Sequence, residues 1–181
     1  MTIELVAMLR PASEFFEMYR QNPVDVNSVF DGIPLLMDAL ANNDPDSRFA
    51  ICTFLLDKGA NAHVVNTEKE TPLHYLFCKQ QHNFEQTMIL FKRLLAAGAD
   101  VHQQDKKKRL ALHHMMNMPC TDDILMPFLE LYLAQNPDIQ IKSRWNMTPL
   151  ELAEKVPYRK QAAERMRQYV EAQKQQGQKA D

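Results

Sequence analysis

Two stretches of the sequence align without a gap: LLDKGANAHVVNTEKETPLHYL at residues 55–76 and LLAAGADVHQQDKKKRLALHHM at residues 94–115. In this alignment the tetrapeptide TPLH, which starts at Thr71, falls on LALH, which starts at Leu110. Self-similarity at a fixed period is typical of solenoids, in which stacked units bury a shared core. The architecture is therefore predicted from this repeat before any single motif is considered.

The same register locates two weaker copies of the repeat. YLAQNPDIQIKSRWNMTPLELA covers residues 132–153, and a more degenerate MYRQNPVDVNSVFDGIPLLMDA covers residues 18–39. The TPLH-like positions then start at residues 33, 71, 110 and 148, so the period is 38 or 39 residues.

These segments resemble ankyrin repeats, whose pattern is T-P-L-H-x-A followed by LL-x-x-GADV and a hairpin. The resemblance covers essentially the whole chain and implies an all-α, ankyrin-like solenoid of helix–turn–helix repeats with hairpin-like loops between them. It implies one domain over residues 1–175 and a polar tail at residues 176–181. The expected helix pairs lie near residues 2–20, 33–57, 71–97, 110–135 and 148–175.

The chain departs from the ankyrin pattern in two ways. Its period exceeds the usual length of about 33 residues, and the extra residues fall between the two helices of a pair, for example at 79–86. The glycine that is usual at the hairpin tip is replaced by Lys69, Lys108 and Asn146. The connections between repeats are therefore expected to be either distorted hairpins or irregular loops.

The last helix is expected to open at Pro157 and to cap the stack. Its outer face is predicted to be charged and solvated, as the exposed face of a terminal repeat requires. The residues assigned to that face are Arg159, Lys160, Glu164, Arg167 and Glu171.

Composition and charge limit the classes of function. The net charge of −2 argues against a protein that binds polyanions over its whole surface. The charge is uneven along the chain: residues 1–100 carry 8 basic and 13 acidic side chains, whereas residues 101–181 carry 13 basic and 10 acidic side chains. The 3 cysteines are widely spaced and form no CxxC pair. With no signal-peptide pattern and no long apolar run, they predict a cytoplasmic protein with reduced thiols.

One group of residues suggests a different chemistry. His74, Cys78 and His82 recur every four residues, a spacing that in a single helix would place imidazole and thiolate metal ligands on one face. The alternative function is therefore a metal- or thiol-dependent enzyme or sensor, and a Cys120–His114 pair would add a thiol–imidazole couple. We expect instead no metal, no cofactor and no catalysis, because the sequence supplies no fourth ligand, orienting acid or oxyanion feature.

The four consecutive basic residues Lys106–Arg109 fall at a loop tip between repeats. Three interpretations remain: a solvated tip, a contact for an acidic protein surface, or a signal for nucleic acid or nuclear import. The net charge and the lack of interleaved aromatic residues argue against nucleic acid. Trp145, the only tryptophan, falls at the next tip beside Arg144. It is expected either to anchor a partner or to pack against the terminal helix.

The resemblance implies a protein-binding scaffold, such as an adaptor, an inhibitor or a bacterial effector or immunity protein. We expect a monomer that binds an unidentified protein partner, and neither nucleic acid nor membrane, on a concave side made of loop tips and first helices. Of the two adjacent histidines, His113 is assigned to the helix start and His114 to the partner. The candidate partner-binding residues are Glu68, Lys69, Glu70, Tyr75, Lys107, Lys108, Arg109, His114, Arg144 and Trp145.

Overall fold

The computed structural model describes residues 1–178, and over this range the chain folds into ten helices and one short hairpin. The helices are α1 (Ile3–Leu9), α2 (Ala12–Gln21), α3 (Leu35–Ala41), α4 (Pro45–Asp57), α5 (Pro72–Phe77), α6 (Phe84–Ala96), α7 (Ala111–Met115), α8 (Asp122–Leu133), α9 (Pro149–Lys155) and α10 (Lys160–Gln178). The antiparallel strands are β1 (Val29–Phe30) and β2 (Ile33–Pro34). The all-α, ankyrin-like class predicted from the sequence is confirmed.

The helices stack in two layers. The short helices α1, α3, α5, α7 and α9 contact one another in sequence and form the inner layer. In the outer layer α2 contacts α4, α4 contacts α6, and α8 contacts α10. Because a helix pair has two apolar faces and its neighbours cover both, the core is continuous along the stack. Within residues 1–178 no helix has the length and apolarity needed to cross a membrane.

Aromatic side chains carry this core from one repeat to the next. The rings of Phe77 and Phe91 meet edge to face with centroids 5.0 Å apart, and Phe91 stacks on Phe128 of the following repeat. The buried hydroxyl of Tyr132 donates a hydrogen bond of 2.6 Å to the carbonyl oxygen of Val101. Aromatic pairs of this kind add to the free energy gained by burying their area, so they couple adjacent repeats.

The hairpin shifts the first repeat by one residue. Ile33 pairs with Phe30 in the β-ladder, and α3 has Pro34 as its N-cap. The equivalent N-caps are Thr71, Leu110 and Thr148. The predicted start at Ile33 is therefore wrong by one position, because that residue belongs to the hairpin.

A histidine at the start of an inner helix joins two repeats. His74 accepts a hydrogen bond at Nδ1 from the backbone nitrogen of Thr71, 3.1 Å away. The proton of the neutral ring is therefore on Nε2. Nε2 donates to the carbonyl oxygen of Arg109 at 3.0 Å. His113 makes the same two bonds one repeat later, the second to the carbonyl oxygen of Met147. Burial lowers the pKa of both imidazoles, which keeps them neutral.

Buried cations hold the long connections within the helix pairs. The guanidinium group of Arg48 donates to the carbonyl oxygens of Asn42 and Gln81, at 2.7 and 2.6 Å, and thereby ties together the connections of adjacent pairs. Lys79 adds a bond of 2.6 Å from Nζ to the carbonyl oxygen of Ala41. Carbonyl groups in these connections have no helical partner, so the buried donors satisfy them.

The terminal helix differs from its prediction at both ends. It begins at Lys160 rather than Pro157, and it continues through Gln178, beyond the expected limit at residue 175. Residues 179–181 of the expected polar tail lie outside the described residues. Four of the five residues assigned to the charged outer face are exposed: Lys160, Glu164, Arg167 and Glu171.

The fifth residue, Arg159, contradicts the prediction of an exposed charge. Its side chain is 0% exposed and donates to the carbonyl oxygens of Met116, at 3.0 Å, and Cys120, at 2.7 Å. It also donates to the carbonyl oxygen of Met118 and lies 3.5 Å from a carboxylate oxygen of Asp122. A buried charge needs this many partners to offset the loss of hydration.

Replacement of Arg159 by alanine is expected to destabilise the protein by about 3–5 kcal/mol, because it removes the countercharge of the buried Asp122 carboxylate and leaves three carbonyl groups without their donor. The matched control is Arg165→Ala on the same side of the molecule, where Arg165 pairs with Glu130 near the surface. That change is expected to cost about 1 kcal/mol or less. Urea unfolding followed by circular dichroism measures both, and similar losses for the two variants would contradict the role given to Arg159.

Candidate functional site

The connections between repeats end in loop tips, and three of the four tips share one geometry. We call residues 30–33 the first tip, 66–70 the second, 105–109 the third and 143–147 the fourth. The second to fourth tips are each closed by a hydrogen bond of 2.9–3.0 Å from the backbone nitrogen of their first residue to the carbonyl oxygen of their last. The expected alternatives, a distorted hairpin or an irregular loop, thus give way to a tight, recurring turn.

The residues at the missing glycine positions adopt the left-handed conformation that glycine favours. The φ angles are 59° at Lys69, 56° at Lys108 and 58° at Asn146. The first tip uses Gly32, with φ 78°, where an added Cβ would collide with the side chain of Thr67 in the second tip. A positive φ is unfavourable for residues with a side chain, so Lys69 and Lys108 are held in a strained conformation.

Side chains inside the tips fix their shape. The carboxamide oxygen of Asn66 accepts from the backbone nitrogens of Glu68 and Glu70, both at 2.9 Å. The buried Asp105 carboxylate makes the corresponding two bonds in the third tip, both 2.8 Å, and pairs with the guanidinium group of Arg109 at 2.6 Å. The backbone of the second and third tips is therefore fixed before any partner arrives.

Backbone bonds also join one tip to the next. The nitrogen of Lys106 donates to the carbonyl oxygen of Glu68 at 2.9 Å, and the nitrogen of Arg144 donates to the carbonyl oxygen of Lys107 at 2.8 Å. The second, third and fourth tips thus form a continuous edge along the stack. An ion pair of 3.1 Å between Lys106 and Glu68 reinforces the first of these contacts.

Trp145 lies on the surface of the fourth tip. Its side chain is 55% exposed, so the packing against the terminal helix that the sequence left open does not occur. The guanidinium carbons of Arg144 and Arg109 lie 5.5 and 5.8 Å from the centroid of the indole ring. Both cations are within the distance at which the ring quadrupole attracts them.

The family-model comparison is consistent with this geometry. Residues 68–106, from the second tip to the third, match the ankyrin repeat model. The chain contains an ankyrin repeat. Its helical fold is consistent with an ankyrin-type repeat protein. A search of curated proteins found no match.

A solved structure extends the likeness to nearly the whole chain. A functionally unknown protein from Leptotrichia buccalis C-1013-b superposes with a TM-score of 0.85 at 26% sequence identity. The alignment covers 96% of this chain and 94% of that protein. The whole array, including both terminal helix pairs, is therefore a fold that recurs in another protein.

The ten candidate partner-binding residues divide by their exposure. Six of them lie exposed at the second, third and fourth loop tips: Glu68, Lys69, Lys107, Lys108, Arg144 and Trp145. The other four are half-buried: Glu70, Tyr75, Arg109 and His114. The half-buried members support the tips or line the inner helices, so they offer less surface to a partner than the sequence suggested.

His114 is less accessible than its assignment to the partner requires. Its ring lies edge to face on His74, with centroids 5.8 Å apart. Burial, with the nearby Arg109 and His74, lowers its pKa to about 3. Tyr75, on the preceding inner helix, has its hydroxyl oxygen occupied by a 3.2 Å bond from the Asn66 amide.

The three residues of the possible metal site do not share a helix face. Helix α5 ends at Phe77, so Cys78 is its C-cap and His82 lies in the following connection. Both ring nitrogens of His74 are occupied by the bonds described above, and Nε2 of His82 lies 2.9 Å from the carbonyl oxygen of Lys79. In the described part of the chain no three His, Cys, Asp or Glu side chains are grouped to hold a metal ion.

The possible thiol–imidazole couple also lacks the electrostatics it needs. A reactive thiol requires a lowered pKa and a basic imidazole beside it. Burial instead raises the pKa of the Cys120 thiol, and it lowers the pKa of His114. Neither arrangement supports the enzyme or sensor alternative.

Sequence reasoning missed Asp38. Counted from the helix N-caps, Asp38 is equivalent to Tyr75 and His114, and the one-residue shift at the hairpin concealed this. Asp38 is 5% exposed, and its Oδ2 has no hydrogen-bond partner among the described residues. Burial, followed by the carboxylates of Glu4 and Asp31, raises the pKa of Asp38 to about 7.

Glycine at two strained tip positions is expected to stabilise the protein. In Lys69→Gly/Lys108→Gly the free energy of strain that is removed from the folded state exceeds the cost of the greater conformational entropy of the unfolded chain. The variant is expected to gain about 1 kcal/mol in the free energy of unfolding. Lys107→Gly, whose φ is not positive, serves as the control and is expected to lose about 0.5 kcal/mol. Denaturant midpoints measure both, and a loss in the double variant would argue against strain at these tips.

Replacement of Asp38 by asparagine is expected to change how stability depends on pH. Because the pKa of Asp38 in the fold, about 7, is above its usual value of 3.8, the stability contributed by the protonated carboxyl is present at acidic pH and is lost as the pH rises through 7. The free energies of unfolding of Asp38→Asn and the unmodified protein should be similar below about pH 4, where the carboxyl group is protonated in the folded and the unfolded state alike. They should diverge as the pH rises from 3.8 to about 7, by about 2 kcal/mol or more in favour of the variant.

The control for this measurement is Asp123→Asn at an exposed position of α8. It is expected to follow the unmodified protein across the same pH range. If Asp38→Asn shows the same pH profile as this control, the carboxyl of Asp38 is ionised in the fold and the assignment fails.

Proposed function

We propose that the chain is a protein-binding module that receives its partner on the concave side formed by the loop tips and the inner helices. Ankyrin repeats generally mediate interactions between proteins. The observation that carries the proposal is the exposed indole of Trp145 at the edge of the stacked tips, with the guanidinium carbons of Arg144 and Arg109 at 5.5 and 5.8 Å from its ring centroid.

The composition of this site favours binding. Tryptophan and arginine are the residues most enriched among the few that dominate the energy of protein interfaces. A large apolar side chain exposed at a rigid loop tip adds nothing to the core, and exposed apolar surface often marks a contact site. Trp145 and Arg144 therefore serve as the anchor of the proposed interface.

Preorganisation of the tips supports the same proposal. The bonds made by Asn66 and Asp105, and the bonds between successive tips, fix the backbone that presents Lys69, Lys107 and Lys108. Ordering of flexible loops is a large cost of association, and rigid tips avoid it. Roles as an adaptor, an inhibitor or a bacterial effector or immunity protein all use a surface of this kind, and the identity of the partner separates them.

The test is affinity capture with a variant of the anchor. Trp145→Ala/Arg144→Glu is expected to weaken partner binding by a factor of about 30 or more, the loss typical of an interface hot spot of about 2 kcal/mol. Arg144 is preferred to Arg109 because Arg109→Glu would place a carboxylate beside the buried Asp105 and unfold the third tip. Thermal unfolding by circular dichroism establishes that the double variant is folded.

The matched control is Ile89→Ala/Lys92→Glu, which truncates one exposed apolar side chain and reverses one exposed cation on the outer helix α6. This control is expected to retain the partners captured by the unmodified protein. Retention of the same partners at the same affinity by Trp145→Ala/Arg144→Glu would show that the proposed surface is wrong.

A further inference from the structure

We infer that the segment bound at the loop tips is an acidic stretch of protein chain, with aspartate and glutamate side chains around one apolar or aromatic residue. This inference rests on the proposed function and names the chemistry of its partner. It depends on the exposed cations of the tips that form no ion pair within the protein, and on the position of these cations around Trp145.

The acidic side chains of the second and third tips are already paired. Glu68 lies 3.1 Å from the ammonium group of Lys106, and Glu70 lies 3.7 Å from the guanidinium group of Arg109, which also binds Asp105. Four further cations are exposed, and among the described residues no carboxylate lies within ion-pairing distance of them: Lys69, Lys107, Lys108 and Arg144. We call these four cations, together with Trp145, the basic tip surface.

The basic tip surface is continuous. The backbone of Arg144 is bonded to that of Lys107, so the third and fourth tips present these side chains side by side. Lys69 and Lys108 line one open cleft of about 570 Å³ between the second and third tips, together with Lys106 and His102. Asp100 and Asp105 also border this cleft, so its lysines outnumber its carboxylates. Cations gathered in a concave surface focus the field that attracts an anionic segment.

Trp145 adds an apolar contact to this field. The guanidinium groups of Arg144 and Arg109 lie near its ring, and the rest of the indole is open to solvent. Arginine can bind a carboxylate through its planar edge while it remains against an aromatic face. An apolar side chain between two acidic residues therefore matches the indole and its flanking cations at the same time.

The extent of the surface favours an acidic protein over a nucleic acid. A phosphate backbone carries a charge at every nucleotide, and along the edge of the stack it would soon meet the exposed carboxylate of Asp31 in the first tip. Trp145 is also the only tryptophan of the chain, so bases lack a series of stacking platforms here. A protein segment can place carboxylates only where the cations are, and uncharged residues elsewhere.

The single tryptophan makes a direct measurement possible, because the intrinsic fluorescence of the protein reports on Trp145. The probe is a synthetic peptide of six alternating glutamate and aspartate residues around a central phenylalanine, titrated into the full chain. A saturable change in emission is expected, with an apparent Kd that rises by about 10-fold or more between low and moderately high salt, as screened charge pairs require. No saturable change up to millimolar peptide would overturn the inference.

Charge-reversal variants locate the binding. Lys107→Glu/Arg144→Glu is expected to weaken binding of the peptide by about 10-fold or more, because two attractive contacts become repulsive. Lys92→Glu/Lys160→Glu changes the net charge by the same amount at exposed positions of the outer helices α6 and α10, and it is expected to bind as the unmodified protein does. Equal weakening by both variants would show a response to net charge alone and would contradict a defined site.

Two further titrations test the class of ligand. A peptide with glutamine and asparagine in place of the acidic residues is expected not to bind, and a single-stranded oligonucleotide is expected to bind more weakly than the acidic peptide. Tighter binding of the oligonucleotide, or equal binding of the amide peptide, overturns the assignment to an acidic protein. If partner capture depends on Trp145 but not on Lys107 and Arg144 charge, the proposed function stands and the present inference fails.

Discussion

The imidazole of His74 holds two repeats together, and bonds of this type position the third and fourth loop tips. One ring nitrogen closes the first turn of its own helix, and the other holds the third loop tip through the carbonyl oxygen of Arg109. His113 repeats the arrangement toward Met147 in the fourth tip. In the last repeat Glu151 takes this position, bonds its own N-cap, Thr148, and lies 3.7 Å from the ammonium group of Lys142. No further repeat follows the last one within the described residues, so there is no following tip for a second hydrogen bond to hold.

These bonds connect the core to the surface that we propose for binding. The tip that carries Trp145 is anchored by a histidine whose own helix is packed in the inner layer. Burial lowers the pKa of His113, so its ring stays neutral and Nδ1 remains an acceptor as the pH falls below the usual histidine range. The geometry of the fourth tip is therefore set by the packing of α7, and a partner meets a surface that the fold has already positioned.

The sequence predicted the features that recur and missed those that occur once. The TPLH register predicted the inner helices and placed the basic run Lys106–Arg109 at a tip, because periodicity reports on positions that every repeat shares. Arg159 carries no such signal, since the carbonyl groups it binds lie about 40 residues earlier in a connection of irregular length. The sequence pattern did not identify Asp38 because the first repeat is one residue shorter at its hairpin. An alignment without gaps therefore assigns Asp38 to the wrong repeat position.

The strained lysines of the tips link the energetics of the fold to its proposed function. Glycine would adopt the φ angles of Lys69 and Lys108 without a steric cost, whereas a residue with a side chain pays about 1 kcal/mol or more for each. Strain of this kind is retained where the side chain has a use that stability does not provide. Both ammonium groups border the same cleft between the second and third tips. Lys69 and Lys108, which depart from the ankyrin pattern, thus add to the positive charge that Lys107 and Arg144 give the tip edge, and they do so at the expense of stability.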